Sequence, residues 1–213
     1  MRLALWLGLV GLLAVIAYAS RANAGKPSPQ TLYEWSTAVG AVIQDAIVLG
    51  LVLAIAGSRR ELLALRRPAS IGRTALVLVA ALVGVYIFEG IYSALAHPGN
   101  EQGLTPAHWE PKHAAAYIVN SVVICTWIPL VEELTYRGVG YSLLARYGRW
   151  TAIVLVGLLF GLAHGLIVSL PIIAGFGAVL AWVRSRTNSV LPGMALHGVF
   201  NLVALVAAVT VHR

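Results

Sequence analysis

Seven apolar segments follow one another along this chain, and their length restricts the possible folds more than any other feature. Most of them reach the roughly 17–25 residues that an α-helix needs to cross a bilayer. Inside lipid every backbone N–H and C=O must be paired within the protein, which leaves helices and closed barrels, and the alternating pattern of a barrel is absent. We therefore predict an all-α, polytopic transmembrane bundle of about seven helices, at residues 3–19, 37–57, 74–97, 114–138, 151–168, 170–184 and 189–211.

The charge composition agrees with a membrane protein. Charged residues make up 11% of the 213 residues, whereas a soluble domain carries about 25%. The formal net charge is +7, and 13 of the 15 basic residues are arginines that lie mainly between the apolar segments. Positive charge at the membrane surface, in contact with anionic lipid, accounts for this distribution, so we expect membrane lipid and no nucleic acid as a partner.

The distribution of basic residues predicts the topology. Only Arg21, Lys26, Lys112 and Arg213 fall on one side of the predicted membrane. Because cytoplasmic loops carry the excess of Lys and Arg, we predict a multi-pass protein of the cell membrane, with a cytoplasmic N-terminus and a C-terminus across the membrane. The eleven basic residues on the cytoplasmic side are Arg2, Arg59, Arg60, Arg66, Arg67, Arg73, Arg137, Arg146, Arg149, Arg184 and Arg186.

The first segment has two interpretations. Ala22-Asn23-Ala24 resembles a signal-peptidase site, which would make residues 1–24 a removable signal peptide. We favour a retained helix, because the apolar stretch is long for a signal peptide and Arg21 interrupts it before the small residues. Internal repeats and low-complexity tracts are absent from the sequence. We divide the chain only into N-terminal helices and loops, 1–113, and the helices of 114–213, within one integral bundle.

Ionisable residues inside the apolar segments are the main functional signal. Each costs roughly 2.5–3.5 kcal/mol to insert at the bilayer centre, so each needs a partner, a wet cavity or a chemical role. Three patterns stand out: Glu132-Glu133-x-x-x-Arg137 in the fourth segment, Phe160-x-x-x-His164 in the fifth and His197-x-x-x-Asn201 in the seventh. Asp45 and Glu89 also lie in apolar segments, and we expect structural roles for them or a place along an access path.

Helical spacing gives these patterns a geometry. Glu133 and Arg137 are i,i+4 neighbours and can pair along one helix face, whereas Glu132 points about 100° away. His197 and Asn201 also share a face. A carboxylate in a partly desolvated pocket suits a general base, and histidine or Asn donors can stabilise an oxyanion. The patterns therefore predict a site that activates water, in a cavity reached from the cytoplasmic leaflet.

At these residues the chain resembles the CPBP family of intramembrane proteases, which includes CAAX prenyl endopeptidases and relatives linked to bacteriocin immunity. The resemblance covers roughly residues 114–210. The pattern of that family is Glu-Glu-x-x-x-Arg, then Phe-x-x-x-His, then His-x-x-x-Asn, and this chain matches it at every position. Ser189-Val190-Leu191-Pro192 also looks like the family's entry to its last motif helix.

The resemblance implies an intramembrane endopeptidase and a role for each motif residue. Glu132 would be the base that activates water, and His164 would help to orient that water. His197 and Asn201 would line the oxyanion site, and the Glu133–Arg137 ion pair would hold its helix in place. We expect no cofactor, although two histidines and a glutamate leave a zinc site as the alternative.

The substrate and a competing function remain open at this point. A lipid-modified C-terminus, a membrane-anchored pro-peptide or a transmembrane tail of a membrane-associated protein would each suit the predicted site. The alternative is a non-catalytic immunity or scaffold protein that keeps the family cavity for binding. A proton-coupled carrier is disfavoured, because the inverted repeats and broken helices typical of transporters are missing from the sequence. The oligomeric state is not predicted.

Overall fold

The computed structural model describes residues 1–24, 28–99, 101–103, 106 and 108–210. Lys26 and Arg213, two of the basic residues on which the topology prediction depends, lie outside the described residues. Within them the chain forms seven helices and no strand, which confirms the predicted all-α bundle. The helices are α1 Arg2–Ala24, α2 Trp35–Ala56, α3 Ile71–Ala96, α4 Pro111–Tyr147, α5 Arg149–Leu162, α6 Leu170–Thr187 and α7 Leu191–Thr210.

Five of these helices, α1, α2, α3, α4 and α7, are long and apolar enough to span a membrane. α5 is a shorter apolar helix, and α6 packs along it in the interior of the bundle. Large apolar side chains such as Ile47, Leu76 and Val154 are exposed on the outer surface, where lipid tails would solvate them. The chain is a multi-pass membrane protein.

The fourth helix is longer than predicted. It continues past residue 138 to Tyr147 and contains two π-helical stretches, Val123–Trp127 and Glu133–Gly140. The prediction ended the helix just after Arg137, on the expectation that this residue marks the membrane surface, but residues 133–140 are buried against other helices. Arg137 is fully buried, so its assignment to the basic cytoplasmic surface was wrong. Its charge is paired with the Glu133 carboxylate inside the bundle.

α4 and α5 form an antiparallel pair around Gly148. This glycine has φ +112°, which favours glycine, and it permits a sharp turn between the two helices. Glu132 lies sixteen residues before Gly148 and His164 sixteen residues after it. With similar rises per residue, both side chains therefore reach the same depth in the bundle. The predicted fifth helix is too long, because α5 ends at Leu162 and His164 lies in the turn that follows.

α1 is part of the core. Trp6 has no exposed surface, and its Nε1 donates a hydrogen bond to the carbonyl oxygen of Thr135 at 2.9 Å. Gly140 of α4 lies directly against the Trp6 ring, where a Cβ atom would overlap it. These contacts join α1 to the π-helical stretch that carries Glu133 and Arg137. Retention of the first helix stays a prediction, and its packing agrees with that choice.

Two glycines of the fifth segment allow close helix packing. Gly157 and Gly161 lie on α5 against Ala174 and Ala178 of α6. Gly165 is outside the helix, with φ +64°, and it approaches the backbone of Ala17 in α1. These three glycines therefore allow α5 to lie close to α6 and the following turn to lie close to α1.

Gly157→Ala should destabilise the protein by about 1–3 kcal/mol, the usual cost of overpacking. The added Cβ would lie 2.7 Å from the Ala178 nitrogen and 2.8 Å from the Ala174 oxygen, and backbone atoms cannot move aside cheaply. SDS-induced unfolding in mixed micelles measures the change. Gly50→Ala in α2 is the matched control, because nothing lies within 4 Å of its added Cβ and Ala favours a helix. Equal destabilisation by both substitutions would contradict the packing argument.

The two ends of the bundle differ in charge. The segment 59–67, the end of α4 and the end of α6 meet at one end, which we call the arginine-rich end. The opposite end carries the Arg21–Glu101 ion pair and the hydrogen bond between Gln30 and Glu110. The orientation of these ends relative to the cell stays a prediction.

Candidate active site

Glu133 and Arg137 form a buried ion pair on α4. Arg137 Nη1 lies 2.9 Å from Glu133 Oε1, and neither side chain is exposed. Arg137 Nη2 also donates to the carbonyl oxygen of Gly177 at 2.9 Å, and the guanidinium lies 4.2 Å from the centre of the Phe160 ring. The pair therefore ties α4 to α5 and α6, in the geometry that the i,i+4 spacing predicted.

Glu132 faces two histidines from other parts of the chain. Its Oε1 lies 3.8 Å from His164 Nε2, and its Oε2 lies 3.6 Å from His197 Nε2. These distances exceed a direct hydrogen bond, which needs about 2.7–3.2 Å. The Glu132 side chain is 21% exposed, whereas Glu133 is fully enclosed. The two adjacent glutamates thus have different surroundings, one beside a cavity and one in an ion pair.

The tautomer of His164 follows from its backbone contact. His164 Nδ1 lies 2.8 Å from the carbonyl oxygen of Phe160, and because a carbonyl only accepts, Nδ1 carries the hydrogen. In the neutral ring Nε2 is then an acceptor, and this atom faces Glu132. The Phe160 ring lies edge-on to the imidazole at 4.6 Å between centroids. Phe160 therefore orients His164 through both its backbone and its ring.

The segment 163–169 that carries His164 is held from several sides. The hydroxyl of Tyr18 in α1 donates to the carbonyl oxygen of Leu166 at 2.9 Å. The hydroxyl of Tyr92 in α3 donates to the carbonyl oxygen of Val168 at 2.8 Å. Glu101 accepts hydrogen bonds from the backbone N–H groups of Ile167 at 2.9 Å and Ser169 at 2.6 Å.

Glu101 is ionised at neutral pH. Burial by itself would raise the pKa of this carboxyl, but hydrogen bonds from the backbone N–H groups of Ile167, Ser169 and Val168 lower its pKa below the ordinary value of 4.5. Arg21 pairs with it at 2.8 Å. A group whose pKa is lowered on folding contributes stability above its unfolded pKa, and that contribution is lost as the pH falls towards the folded pKa.

Glu101→Gln should loosen segment 163–169, because charge-assisted hydrogen bonds become neutral ones. Amide hydrogen exchange in this segment should accelerate roughly tenfold at pH 7. The stability difference from wild type should shrink as the pH drops below 4.5, where wild-type Glu101 also becomes protonated. Glu34→Gln, at an exposed position, is the control. A difference that persists unchanged at low pH would contradict the assigned role of the charge.

His197 lies between the two glutamates. Its Nδ1 is 3.6 Å from Glu133 Oε1, and only 5% of its side chain is exposed. Gly193, one turn earlier on α7, makes this approach possible, because a Cβ there would lie 2.5 Å from Glu133 Oε2. One turn later, Asn201 Nδ2 donates to the carbonyl oxygen of Ile124 at 2.9 Å. An amide NH₂ has two hydrogens, so this bond uses one of them.

Glu132, His164, His197 and Asn201 all line one cavity of about 550 Å³. The structure thus brings together the four motif residues predicted to contact reacting atoms, and it places Glu133 and Arg137 directly behind them. Most of the remaining wall is apolar, and it includes α1 and α2 side chains that belong to no motif. These are Leu13, Ile16, Ala17, Ser20, Ala41, Gln44, Asp45 and Val48.

Sequence reasoning left Asp45 outside the site. This α2 residue lines the same cavity as Glu132, and its Oδ2 is buried with no hydrogen-bond partner in the described residues. Its position within an apolar segment was the only signal in the sequence, and it could not show which cavity the side chain faces. Glu89, the other acidic residue set aside, is not among the lining residues.

The cavity lies in the half of the bundle away from the arginine-rich end. Its wall includes the second half of α1 and the first half of α2, together with Gln102 from the loop before α4. Ile16, Ser20 and Gln44 are exposed lining residues, so the cavity opens beside α1 and α2. The predicted access from the arginine-rich side was wrong. Because α4 continues to Tyr147 instead of ending near residue 138, Glu132 lies farther from the arginine-rich end than the prediction assumed.

The described side chains around the cavity do not form a typical zinc site. In the described part of the chain, no group of three His, Cys, Asp or Glu side chains has the arrangement of a metal site. Zinc would need ligand atoms at about 2.0–2.2 Å, and Asn201, whose amide donates to Ile124, is not a typical zinc ligand. We therefore assign no metal ligand, and the expectation of no cofactor stays a prediction.

These features define a class: a polytopic helical membrane protein with a glutamate and two histidines around an internal cavity. A model of the family described as "Rce1-like: Type II CAAX prenyl endopeptidase Rce1-like" matches residues 114–203. The match covers 90 of the 213 residues, and it confirms the resemblance of residues 114–203 to the CPBP and CAAX protease family. Comparisons with curated proteins and with solved structures found no significant match.

Proposed function

We propose that the protein is an intramembrane endopeptidase in which Glu132 activates a water molecule to hydrolyse a peptide bond. One observation supports this most directly: the two oxygens of the Glu132 carboxylate face the Nε2 atoms of two histidines across gaps of 3.8 and 3.6 Å, at the wall of a cavity. Such gaps are too long for direct hydrogen bonds, and the adjoining cavity is large enough for water and a substrate chain.

In the proposed first step, water is oriented by two acceptors. One hydrogen points to the Glu132 carboxylate and the other to His164 Nε2, which is an acceptor because Nδ1–H is bonded to Phe160. Glu132 accepts the first proton while the water oxygen bonds to the scissile carbonyl carbon. General-base assistance of this kind contributes about 10²–10⁴-fold in rate.

In the second step, the tetrahedral intermediate collapses. His197 Nε2 and the remaining amide hydrogen of Asn201 are placed to donate to the oxyanion from one face of α7. The C–N bond then breaks, and Glu132 returns its proton to the leaving amine. Glu133 Oε1 lies 3.6 Å from the other ring nitrogen, His197 Nδ1. In the proposed step Nε2 carries the hydrogen that it donates to the oxyanion.

The proposed substrate is a membrane-associated or lipid-modified protein. The cavity wall is mainly apolar and opens beside α1 and α2, so a chain segment could enter from the lipid. Its scissile bond would lie in the leaflet away from the arginine-rich end.

The proposal is tested with purified protein in nanodiscs and a library of membrane-anchored peptides, with and without a lipid group. In H₂¹⁸O, hydrolysis should place one ¹⁸O atom in each new C-terminal carboxylate, which mass spectrometry detects. Glu132→Gln protein is the matched control. If chelators abolish cleavage, the result would support a zinc site, which is the alternative to a metal-free mechanism. No product from any peptide, together with tight peptide binding, would favour the non-catalytic immunity or scaffold alternative.

A further inference from the structure

A second pocket, of about 360 Å³, lies at the arginine-rich end of the bundle. Three parts of the chain meet there: the segment between α2 and α3, the end of α4, and the end of α6 with the turn after it. The pocket is separate from the candidate active site, and the two share no lining residue. Its lining residues are Glu61, Leu62, Arg66, Tyr141, Ser142, Ala145, Arg184, Ser185 and Asn188.

Arg184 is the unusual residue of this pocket. It is only 5% exposed, and its Nε is buried without a hydrogen-bond partner in the described residues. Its Nη1 donates to Asn188 Oδ1 at 2.9 Å, and its guanidinium lies 5.2 Å from the centre of the Tyr141 ring. These contacts orient the side chain, but they supply no negative charge.

The neighbouring charges do not neutralise Arg184. Arg66 lines the same pocket and repels it. The carboxylate of Glu61 also lines the pocket, but Arg59 engages it at 2.9 Å. A buried guanidinium without an anion is costly, and a second arginine beside it increases that cost. The positive charge in this pocket therefore stays unbalanced unless an anion binds there.

The position of the pocket indicates the source of the anion. The exposed aromatic residues Tyr147 and Trp150 lie at the same end of the bundle, where α4 turns into α5. Tyr and Trp are enriched at the level of the lipid headgroups. Basic pockets between helices at this level bind anionic headgroups, and the planar fork of arginine matches the oxygens of a phosphate.

We propose that this pocket binds a phosphate group, supplied by the headgroup of an anionic phospholipid. Arg184 and Arg66 contact the phosphate oxygens, and the amide of Asn188 and the hydroxyls of Ser142 and Ser185 line the same space. The bound lipid would join α4, α6 and the α2–α3 segment at their ends, and so would stabilise the bundle whether or not the protein is a protease.

The test measures lipid binding by native mass spectrometry of the full chain in a neutral detergent, titrated with phosphatidylglycerol or phosphatidylcholine. We expect Arg66→Gln and Arg184→Gln each to weaken phosphatidylglycerol binding about tenfold or more, since each removes a charge-assisted hydrogen bond. Arg149→Gln is the control, because this exposed arginine lies at the same end outside the pocket. The Arg149→Gln variant should bind phosphatidylglycerol at most about fivefold more weakly than wild type, which is the effect of removing one surface charge.

Arg66 is exposed, so its variant keeps the test valid if the buried Arg184 variant does not fold. A parallel titration with inorganic phosphate separates the two sources of the anion. If phosphate raises the melting temperature of wild type but not of Arg66→Gln, the site is supported and accepts free phosphate as well. Equal phosphatidylglycerol binding by wild type, Arg66→Gln and Arg149→Gln would overturn the proposal.

Discussion

Replacing Glu132 with glutamine is expected to lower the rate of peptide cleavage by about 10²–10⁴-fold while the protein remains folded. Glutamine has nearly the same shape as glutamate, but it cannot accept the proton of the attacking water. The side chain is 21% exposed at the cavity wall, and its carboxylate oxygens lie beyond hydrogen-bond distance of His164 and His197. The substitution should therefore remove the base without breaking a buried interaction. Single-turnover cleavage rates measure the effect.

A matched control separates chemistry from the loss of an intramembrane charge. Glu89→Gln in α3 makes the same change at a position outside the cavity wall, and it should leave the cleavage rate within a few-fold of wild type. SDS unfolding should show that both variants are about as stable as wild type. Full cleavage by Glu132→Gln would exclude Glu132 as the base, and an equal loss in Glu89→Gln would point to a general effect on the bundle.

Arg137→Met is expected to destabilise the protein by about 3–5 kcal/mol, the largest stability effect that the structure suggests. The substitution fills much of the same volume but leaves the Glu133 carboxylate buried without its partner, which lies 2.9 Å away in wild type. It also removes the hydrogen bond to the Gly177 carbonyl and the contact with the Phe160 ring. SDS unfolding in mixed micelles measures the loss, and cleavage activity should fall with it.

A second substitution tests whether the isolated charge is the cause. Glu133→Gln combined with Arg137→Met removes both charges, and the double variant should be more stable than Arg137→Met alone. Arg59→Gln is the control, because it breaks the Arg59–Glu61 pair, whose side chains are 55% and 59% exposed. Such surface pairs contribute only about 0–1 kcal/mol. A stable Arg137→Met variant would show that the pair does not hold α4 in place.

Much of the candidate site could be predicted because its signals are local. The i,i+4 spacing of Glu133 and Arg137 predicts their pairing, since residues four apart lie on one helix face whatever surrounds them. The same spacing places His197 and Asn201 on one face of α7. Apolar length likewise predicted the number of helices, because bilayer thickness sets the length that a spanning helix needs.

Other parts of the site depend on contacts between distant residues. Local hydropathy ended the fourth helix near residue 138, yet α4 continues because Arg137 finds a carboxylate, a carbonyl and an aromatic ring inside the bundle. Asp45 lies 87 residues before Glu132, and its sequence neighbours carry no sign that both face one cavity. The electrostatic isolation of Arg184 is likewise a property of its surroundings.

The sequence by itself determined a multi-pass helical bundle and the polar groups that share a helix face, because these follow from segment length and residue spacing. Its motifs also carry the resemblance of residues 114–203 to a protease family. Only the tertiary structure decided that Glu132 and His164 lie at the same depth, that the cavity opens away from the arginine-rich end, and that α1 and α2 complete its wall. The physical reason is that the cost of burying a polar group depends on which partners the other helices bring to it, and the order of residues along one helix does not contain that information.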